Sequence, residues 1–221
     1  MKENRDVWES IYSDNMSYLN YPDSDLISLF FEIKSIIPSN KRCLDFGCGS
    51  GNNSEFLSEY FKELFAVDIS VSAINLTRKR LNKIDKKYNL LFDTEINTSF
   101  KEVDFILAWQ SLYYNSKESF IEAFKKLISC LKPNGIIIFS LLHMEDVKIK
   151  NSTKLNNTDY RINSSISTQE NCIVFAISSY AELVELLKGF QIDIVDYGRF
   201  CRYSNETYGI NEYYVIGKKN E

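Results

Sequence analysis

The stretch that decides the fold is Cys43-Leu44-Asp45-Phe46-Gly47-Cys48-Gly49-Ser50-Gly51-Asn52. The apolar run at 42–46 predicts a short buried strand, and a helix is predicted over 52–61. The three alternate glycines between them predict a tight turn that lets a ligand approach main-chain atoms closely. The stretch therefore predicts a ligand-binding turn at the carboxyl end of a strand.

Asp68 is the acidic partner of this turn. Leu64-Phe65-Ala66-Val67 predicts the next buried strand, and Asp68 ends it, 21 positions after Gly47 (68 − 47). A carboxylate there can accept hydrogen bonds from both hydroxyls of a ribose. A glycine-rich turn followed by an acid about 20 residues later is typical of an adenosine-type ligand.

The spacing of the glycines separates the possible adenosine ligands. The dinucleotide pattern GxGxxG holds a pyrophosphate at a helix N-terminus and would need glycine where this chain has Asn52. The chain instead reads GxGxG after Asp45, whose carboxylate repels pyrophosphate and suits an ammonium group. No Gly-Lys-Ser/Thr follows, which excludes a P-loop. The pattern favours S-adenosylmethionine (SAM), which carries a ribose and an α-ammonium group but no phosphate.

Predicted helices and strands alternate along most of the chain, which indicates an α/β fold with a mostly parallel sheet covered on both faces. Two strand-like stretches near the end, at 191–197 and 212–217, have no helix between them and predict an antiparallel hairpin at one sheet edge. Residues 144–177 are polar and irregular, with one strand-like run at 172–177. Further helices are predicted at 26–37, 74–88, 120–131 and after the capping box 179–182, and further strands at 89–92, 103–108 and 136–139.

Composition limits the function classes. The 221 residues suit one domain over 1–221, and 26 Lys+Arg against 30 Asp+Glu give a net charge of -4, which disfavours a dedicated nucleic-acid binder. No run of about 18 apolar residues and no secretory leader is present, so we expect no membrane contact. The five scattered cysteines are expected to be reduced thiols of a cytoplasmic protein. One histidine and no ligand-type cluster predict no metal site.

Four motifs in order resemble the class I SAM-dependent methyltransferases, especially their small-molecule branch. They are 44–51 as the first motif, 66–70 as the second, 104–114 (DFILAWQSLYY) as the fourth, and 131–135 (LKPNG) as the turn before the fifth strand. The resemblance covers about residues 40–142. It implies a Rossmann-like, seven-stranded, mostly parallel sheet with a reversed last strand and helices on both faces.

The resemblance also implies roles for single residues, with SAM as the cofactor. Asp68 would bind the ribose, Ile69 would pack on the adenine, and Asp93 would bind the exocyclic amine of the adenine. The main-chain carbonyl at Trp109 would meet the α-ammonium group. The methionine part would be held by members of the first motif: Asp45, Gly47, Cys48, Gly49 and Gly51.

Candidates for substrate binding and catalysis lie outside the cofactor motifs. His143 follows the fifth strand and is the candidate general base, with an ordinary loop residue as the alternative. An aromatic N-terminal cover over 1–22 and the insertion at 144–177 are expected to close over the substrate. Ordinary packing or exposure is the alternative for each candidate substrate contact: Tyr12, Tyr18, Tyr113, Tyr114 and Arg161.

The sequence thus predicts a SAM-dependent methyltransferase acting on a small polar molecule, with oxygen favoured over nitrogen as acceptor and a sugar or sugar derivative as one candidate. Ala108-Trp109-Gln110-Ser111 stands where nucleic-acid amino-methylating enzymes have Asn/Asp-Pro-Pro-Tyr, so nucleic acid is not expected as a partner. Monomer and homodimer both stay open. The alternatives are a non-catalytic SAM-binding regulatory domain and a nicotinamide-dependent oxidoreductase.

Overall fold

The computed structural model describes residues 4–14, 16–37, 41–85, 87–92, 102–163, 168–204 and 208–221. The first elements are α1 (Arg5–Ser13), α2 (Ser24–Glu32), β1 (Arg42–Phe46), α3 (Asn52–Ser58), β2 (Glu63–Asp68), α4 (Val71–Leu81), β3 (Lys87–Phe92) and β4 (Val103–Ala108). The elements that follow are α5 (Lys117–Cys130), β5 (Leu131–His143), α6 (Val147–Lys150), β6 (Ser152–Lys154), β7 (Asp159–Ile162), β8 (Ile173–Ile177), α7 (Tyr180–Leu187), β9 (Ile192–Ser204) and β10 (Tyr208–Lys219).

The main sheet has the strand order β3-β2-β1-β4-β5-β10-β9. Its first five strands are parallel, and β10 runs antiparallel to both β5 and β9. All six residues of β4 are buried, as expected for a strand covered on both faces. This arrangement confirms the predicted α/β sheet, its reversed last strand and the terminal antiparallel hairpin.

The core lies on both faces of this sheet. Within β4, Ile106 packs into one buried cluster, whereas Phe105 and Leu107 pack into the other. Alternate residues of a strand point to opposite faces, so one short strand supplies both clusters. Helix α5 adds Phe120 and Phe124 to the first cluster. The sheet is therefore packed on both faces.

The segment 144–177 is more regular than its sequence indicates. It forms the short helix α6, an antiparallel pair β6–β7, and β8, which pairs antiparallel with β7. Strand β8 also runs parallel to the end of β5, with Leu142 opposite Ala176 and His143 opposite Ile177. The strand-like run at 172–177 is confirmed as β8, but the expectation that the rest of the segment is irregular was wrong, because the pairing of β6, β7 and β8 organises residues whose local pattern is polar.

Two predicted helix boundaries were also wrong. Tyr88 was expected on a helix but lies in β3, paired with Leu64 of β2. Leu131 was expected on the face of α5 but begins β5, opposite Val103. Proline disfavours helical backbone in the residue before it, so Pro133 ends the helix earlier than the apolar spacing indicates. In both cases strand pairing overrides helical periodicity.

Candidate functional site

A cavity of about 500 Å³, counted with the part that opens to solvent, lies at the carboxyl edge of β1, β2 and β4. Ligands of open α/β sheets bind at this edge. Helix α1, the strand ends and the segment after β4 form its walls. Five residues expected in the site from sequence line this cavity: Tyr12, Gly47, Asp68, Ile69 and Tyr114.

The glycine turn forms as the sequence predicts. Gly47 has φ +73° and Gly51 has φ +83°, in the left-handed region that favours glycine. A Cβ on Gly47 would collide with the Cβ of Ser111, and one on Gly51 would lie 2.9 Å from Oγ1 of Thr77. The absence of side chains therefore lets the turn pack directly against the segment after β4 and against α4.

Asp68 ends β2 with its carboxylate held by two backbone donors. The N–H of Gly49 donates to Oδ2 and the N–H of Ser70 donates to Oδ1, each at 2.9 Å. These bonds orient a nearly buried carboxylate at the wall of the cavity. A carboxylate fixed at this place has the chemistry needed to accept hydrogen bonds from a ribose diol.

Asp45 lies behind the turn, fully buried in β1. The hydroxyl of Ser54 in α3 donates to its Oδ2 at 2.6 Å. Burial raises the pKa of Asp45 to about 7; the Ser54 hydrogen bond opposes this shift, and the nearby charge of Asp68 adds to it. A cation brought close to Asp45 would favour its ionised form.

Cys48 and Trp109 point away from the cavity into packed surroundings. The Sγ of Cys48 lies 3.6 Å from Oγ1 of Thr77, and burial raises the pKa of its thiol. The indole of Trp109 packs in the core against Phe200, at 5.9 Å between ring centroids. Asp93, the expected adenine contact, lies outside the described residues. Cys48 and Trp109 can therefore contact SAM only through their main-chain atoms.

Helix α1 forms an aromatic roof over the cavity. Trp8 stacks on Tyr12 at 5.8 Å between ring centroids and meets Tyr114 edge-on at 4.9 Å. All three rings line the cavity. Burial, together with the negative charge of Asp68, raises the pKa of the Tyr12 hydroxyl well above its usual value. The roof is therefore uncharged and suits the flat face of a base or the methyl end of a sulfonium ligand.

Hydrogen bonds of Glu9 hold α1 against the start of α4. Its carboxylate accepts from the hydroxyl of Ser70 at 2.8 Å, from the hydroxyl of Ser72 at 2.6 Å and from the N–H of Ser72 at 3.2 Å. Partial burial alone would raise the pKa of Glu9, but the hydrogen bonds from Ser72 and Ser70 outweigh it and lower that pKa. Ser70 is also the N-cap of α4, so α1 is tied to the turn that follows Asp68.

Arg80 fastens the segment after α1 to the glycine turn. Its Nε donates to the carbonyl of Ser50 at 3.0 Å, Nη1 donates to the carbonyl of Asn20 at 3.1 Å, and Nη2 donates to the carbonyl of Leu19. Glu55 balances the charge at 2.8 Å. The sequence alone does not reveal this nearly buried arginine, because a helical pattern is the same for an arginine that binds backbone carbonyls and for one that faces solvent.

Three expected substrate contacts lie away from the cavity. Tyr18 is 45% exposed, and the guanidinium carbon of Arg80 lies 4.9 Å from the centroid of the Tyr18 ring. Arg161 is exposed in β7, opposite Thr153 and Ile173. Tyr113 is buried, and its hydroxyl donates to Glu212 at 2.9 Å. Tyr113 packs against Tyr114, at 4.6 Å between ring centroids, without lining the cavity, and Tyr18 and Arg161 do not line it either.

His143, the candidate general base, has both ring nitrogens engaged by backbone. Nδ1 accepts from the N–H of Glu145 at 3.1 Å, which leaves Nε2 as the donor to the carbonyl of Ser178 at 3.2 Å. Burial and the positive charge of Arg199 lower its pKa, against the raising effect of the Ser178 bond. His143 does not line the cavity. In this geometry it secures the junction of β5 and β8.

Gln110 is a site residue that sequence reasoning missed. It has φ +49°, and its N–H donates to the hydroxyl of Ser140 at 2.8 Å. Its side chain reaches the opposite way, and Nε2 donates to Oε2 of Glu212 at 3.4 Å. Gln110 lines both the cavity above and a second cavity of about 290 Å³ on the far side. A glutamine after a strand carries no sequence signal for such a position.

A metal-ligand cluster and a membrane-spanning helix are both absent from the part of the chain that the structure describes. Its residues contain no group of three or more His, Cys, Asp or Glu placed to hold a metal ion. None of the helices seen there is long and apolar enough to cross a membrane.

Comparison with known proteins places this site in a family. The family model described as "Methyltransferase domain" matches residues 17–193, well over half of the chain. YqeM of Bacillus subtilis (strain 168), described as a putative methyltransferase, is 29% identical over 135 residues, which is 60% of this chain and 53% of that protein. The aligned region spans about half the length of the curated relatives that the chain matches.

Two solved structures illustrate the shared fold. The 1,6-didemethyltoxoflavin-N1-methyltransferase of Burkholderia thailandensis has a TM-score of 0.69 at 16% identity, over 98% of this chain and 87% of that one. The N-methyltransferase NodS of Bradyrhizobium japonicum, with bound S-adenosyl-L-homocysteine (SAH), has a TM-score of 0.66 at 13% identity, over 97% of this chain and 100% of that one. The chain belongs to the methyltransferase-domain family, within the class I SAM-dependent methyltransferases.

Proposed function

We propose that this chain transfers a methyl group from SAM to a small polar molecule at the carboxyl edge of its sheet. The observation that carries the proposal is the Asp68 carboxylate, held by the N–H groups of Gly49 and Ser70 at the wall of an aromatic-roofed cavity. The described residues lining that cavity include no lysine or arginine, which suits a ligand without phosphate.

Each part of the cavity has a role in this proposal. SAM supplies a methyl group already activated on a sulfonium. Asp68 accepts from the ribose hydroxyls, Ile69 packs on the adenine, and Asp45 behind the glycine turn attracts the α-ammonium group. Trp8 and Tyr12 exclude water from the reacting centre, and holding the two reactants in line supplies much of the rate.

Oxygen is the acceptor atom that we propose, and a sugar or sugar derivative is one candidate substrate. A hydroxyl needs to lose its proton as it attacks, so an oxygen acceptor requires a base within hydrogen-bond reach. Because both ring nitrogens of His143 are bonded to backbone, a carboxylate at the same edge is the alternative base to test.

Calorimetry tests the cofactor assignment. We expect SAM and SAH to bind at micromolar levels and NAD not to bind. Replacing Asp68 by Ala should weaken SAH binding about 10- to 100-fold, because hydrogen bonds to a charged group are lost. The exposed Asp85→Asn variant is the matched control and should bind normally. Folded protein that binds neither adenosyl ligand would contradict the proposal, and NAD binding would favour the oxidoreductase alternative.

Catalysis needs a separate measurement. Incubation with isotopically labelled SAM and fractions of a metabolite extract, followed by mass spectrometry, should show the label in a small molecule. Binding of SAM without a labelled product in any fraction would instead support a non-catalytic regulatory domain.

A further inference from the structure

The cavity beyond Gln110 is built by the register of the terminal hairpin. In the β9–β10 pair, Glu212 lies opposite Phe200 and Ile210 lies opposite Arg202. Residues two apart on a strand share a face, so the four side chains point to the same side of the hairpin. All four line this cavity, whose volume is about 290 Å³ counted with the part that opens to solvent. Trp109, Asp23 and Asp25 complete its walls.

The walls of this cavity combine an apolar side with polar residues. Trp109 and Phe200 give two aromatic rings in edge-on contact, and Ile210 extends the apolar side. The indole Nε1 of Trp109 is buried without a hydrogen-bond partner in the described chain. The polar walls of the cavity are Glu212, Gln110, Asp23, Asp25 and Arg202, and Arg202 is ion-paired with Asp25. Gln110 also lines the cofactor cavity, so an acceptor whose polar group lies at Glu212 and Gln110 has that group on the side of the cofactor.

Glu212 is held in place by a network but keeps acceptor capacity. The Tyr113 hydroxyl donates to Oε1 at 2.9 Å, with Lys148 Nζ at 3.5 Å from the same oxygen, and Gln110 donates to Oε2 at 3.4 Å. A carboxylate offers about four acceptor sites. Burial raises the pKa of Glu212, and the positive charge of Lys148 opposes this shift. Glu212 is 2% exposed and lines the cavity.

We propose that this second cavity is the acceptor site, that it takes a ring bearing a hydroxyl group, and that Glu212 removes the proton of that hydroxyl. The inference rests on the proposed function and deepens it. The acceptor oxygen attacks the methyl carbon, so the O–CH₃ bond forms as the S–CH₃ bond of SAM breaks and its electron pair goes to sulfur. The hydroxyl proton passes to the Glu212 carboxylate and from there to solvent.

Ring hydroxyls occur on phenols and on sugars, and aromatic side chains pack on both. The binding test therefore uses phenol and D-glucose as separate probes, titrated calorimetrically into protein already saturated with SAH. We expect at least one of them to bind once per chain. The Ile210→Trp variant, which fills the cavity, should remove this binding, whereas Val195→Trp, an exposed position on β9, should keep it.

Neither probe binding to SAH-loaded protein would overturn the acceptor site while leaving SAM binding intact. Probe binding that survives in Ile210→Trp would overturn it as well. Failure of SAH itself to bind would instead overturn the proposed function, so the two failures are distinguishable.

The base is tested by methyl transfer from SAM to whichever probe binds. We expect Glu212→Gln to lower kcat about 100-fold, the low end of what a positioned base contributes, with SAH affinity and KM for the probe unchanged. Unchanged SAH affinity also shows that the variant is folded. Glu185→Gln, exposed on α7, is the matched control and should keep full activity. A Glu212→Gln enzyme with wild-type kcat, or a wild-type enzyme that binds the probe without methylating it, would overturn the assignment.

Discussion

The two cavities that meet at Gln110 are built in different ways. The cofactor cavity takes its glycine turn, the Asp68 carboxylate and Ile69 from one stretch of chain between Leu44 and Ile69, whereas α1 and the segment after β4 supply its other walls. The second cavity gathers side chains from residues near 23–25, 109–110, 200–202 and 210–212. The centre of the first cavity is local in sequence, whereas the second depends on the register of β9 and β10.

Because of this difference, the two cavities are sensitive to different kinds of substitution. The glycine turn, whose contacts are made by backbone atoms, fails when a Cβ is added. A register-built site keeps its backbone but loses its chemistry when one side chain is exchanged. Three changes test this contrast, beginning with the largest expected effect.

Adding one methyl group at Gly47 should abolish the backbone site. In Gly47→Ala the new Cβ collides with Ser111 in a turn that already has φ +73°, so we expect SAH affinity to fall at least about 100-fold. Isothermal calorimetry measures the loss.

Gly189→Ala is the matched control for backbone strain. Gly189 has φ +88° with nothing within 4 Å of an added Cβ. This variant should cost about 1 kcal/mol of unfolding free energy, because alanine is strained in the left-handed region, yet keep SAH affinity. Equal SAH affinity in the two variants would contradict a role for the close approach of Gly47 and Ser111.

The second change is in pH, and it concerns Asp45. Because the pKa of Asp45 is about 7 in the free protein, the carboxyl is protonated below that pH. An α-ammonium group favours the ionised form, so binding below pH 7 releases the proton. The Kd for SAH should therefore rise up to about tenfold for each pH unit below 7 and level off above it.

Asp45→Asn removes the titrating group, and its Kd should be flat over the same pH range. A wild-type Kd that is equally flat would show that Asp45 does not meet the ammonium group. The second cavity should not share this pH dependence, because Asp45 is not among its walls.

The smallest expected effect concerns the roof of the first cavity. Glu9→Gln removes the charged acceptor for Ser70 and Ser72, so we expect about fivefold weaker SAH binding, equivalent to about 1 kcal/mol. Asp6→Asn, exposed on the same helix, should bind SAH like the wild type. Phenol or glucose binding to SAH-saturated protein should be unchanged in Glu9→Gln, since α1 does not line the second cavity. A parallel loss at both cavities would contradict their independence.

The sequence predicted the parts whose cause is local. Neighbouring residues predict the glycine turn, the position of Asp68 at a strand end and the Ser179 N-cap of α7. The structure contains all three. Glu212 escaped prediction because its partners Tyr113 and Lys148 are distant in sequence. Strands β6 and β7 of the segment 144–177 escaped because they are defined by pairing with each other and with β8, which their local pattern does not show.

Hydrogen bonds hold the N-terminal segment over the cofactor cavity at both of its ends, and these bonds affect how quickly SAH can leave. Asn4 donates to the carbonyls of Tyr114 and Ile173 and accepts from the N–H of Ile173, while Arg80 holds the carbonyls of Leu19 and Asn20. Under the proposed function, SAH formed beneath α1 leaves after one of these sets of hydrogen bonds opens. We expect this local opening to set the residence time of SAH, and so to limit the number of catalytic cycles per second.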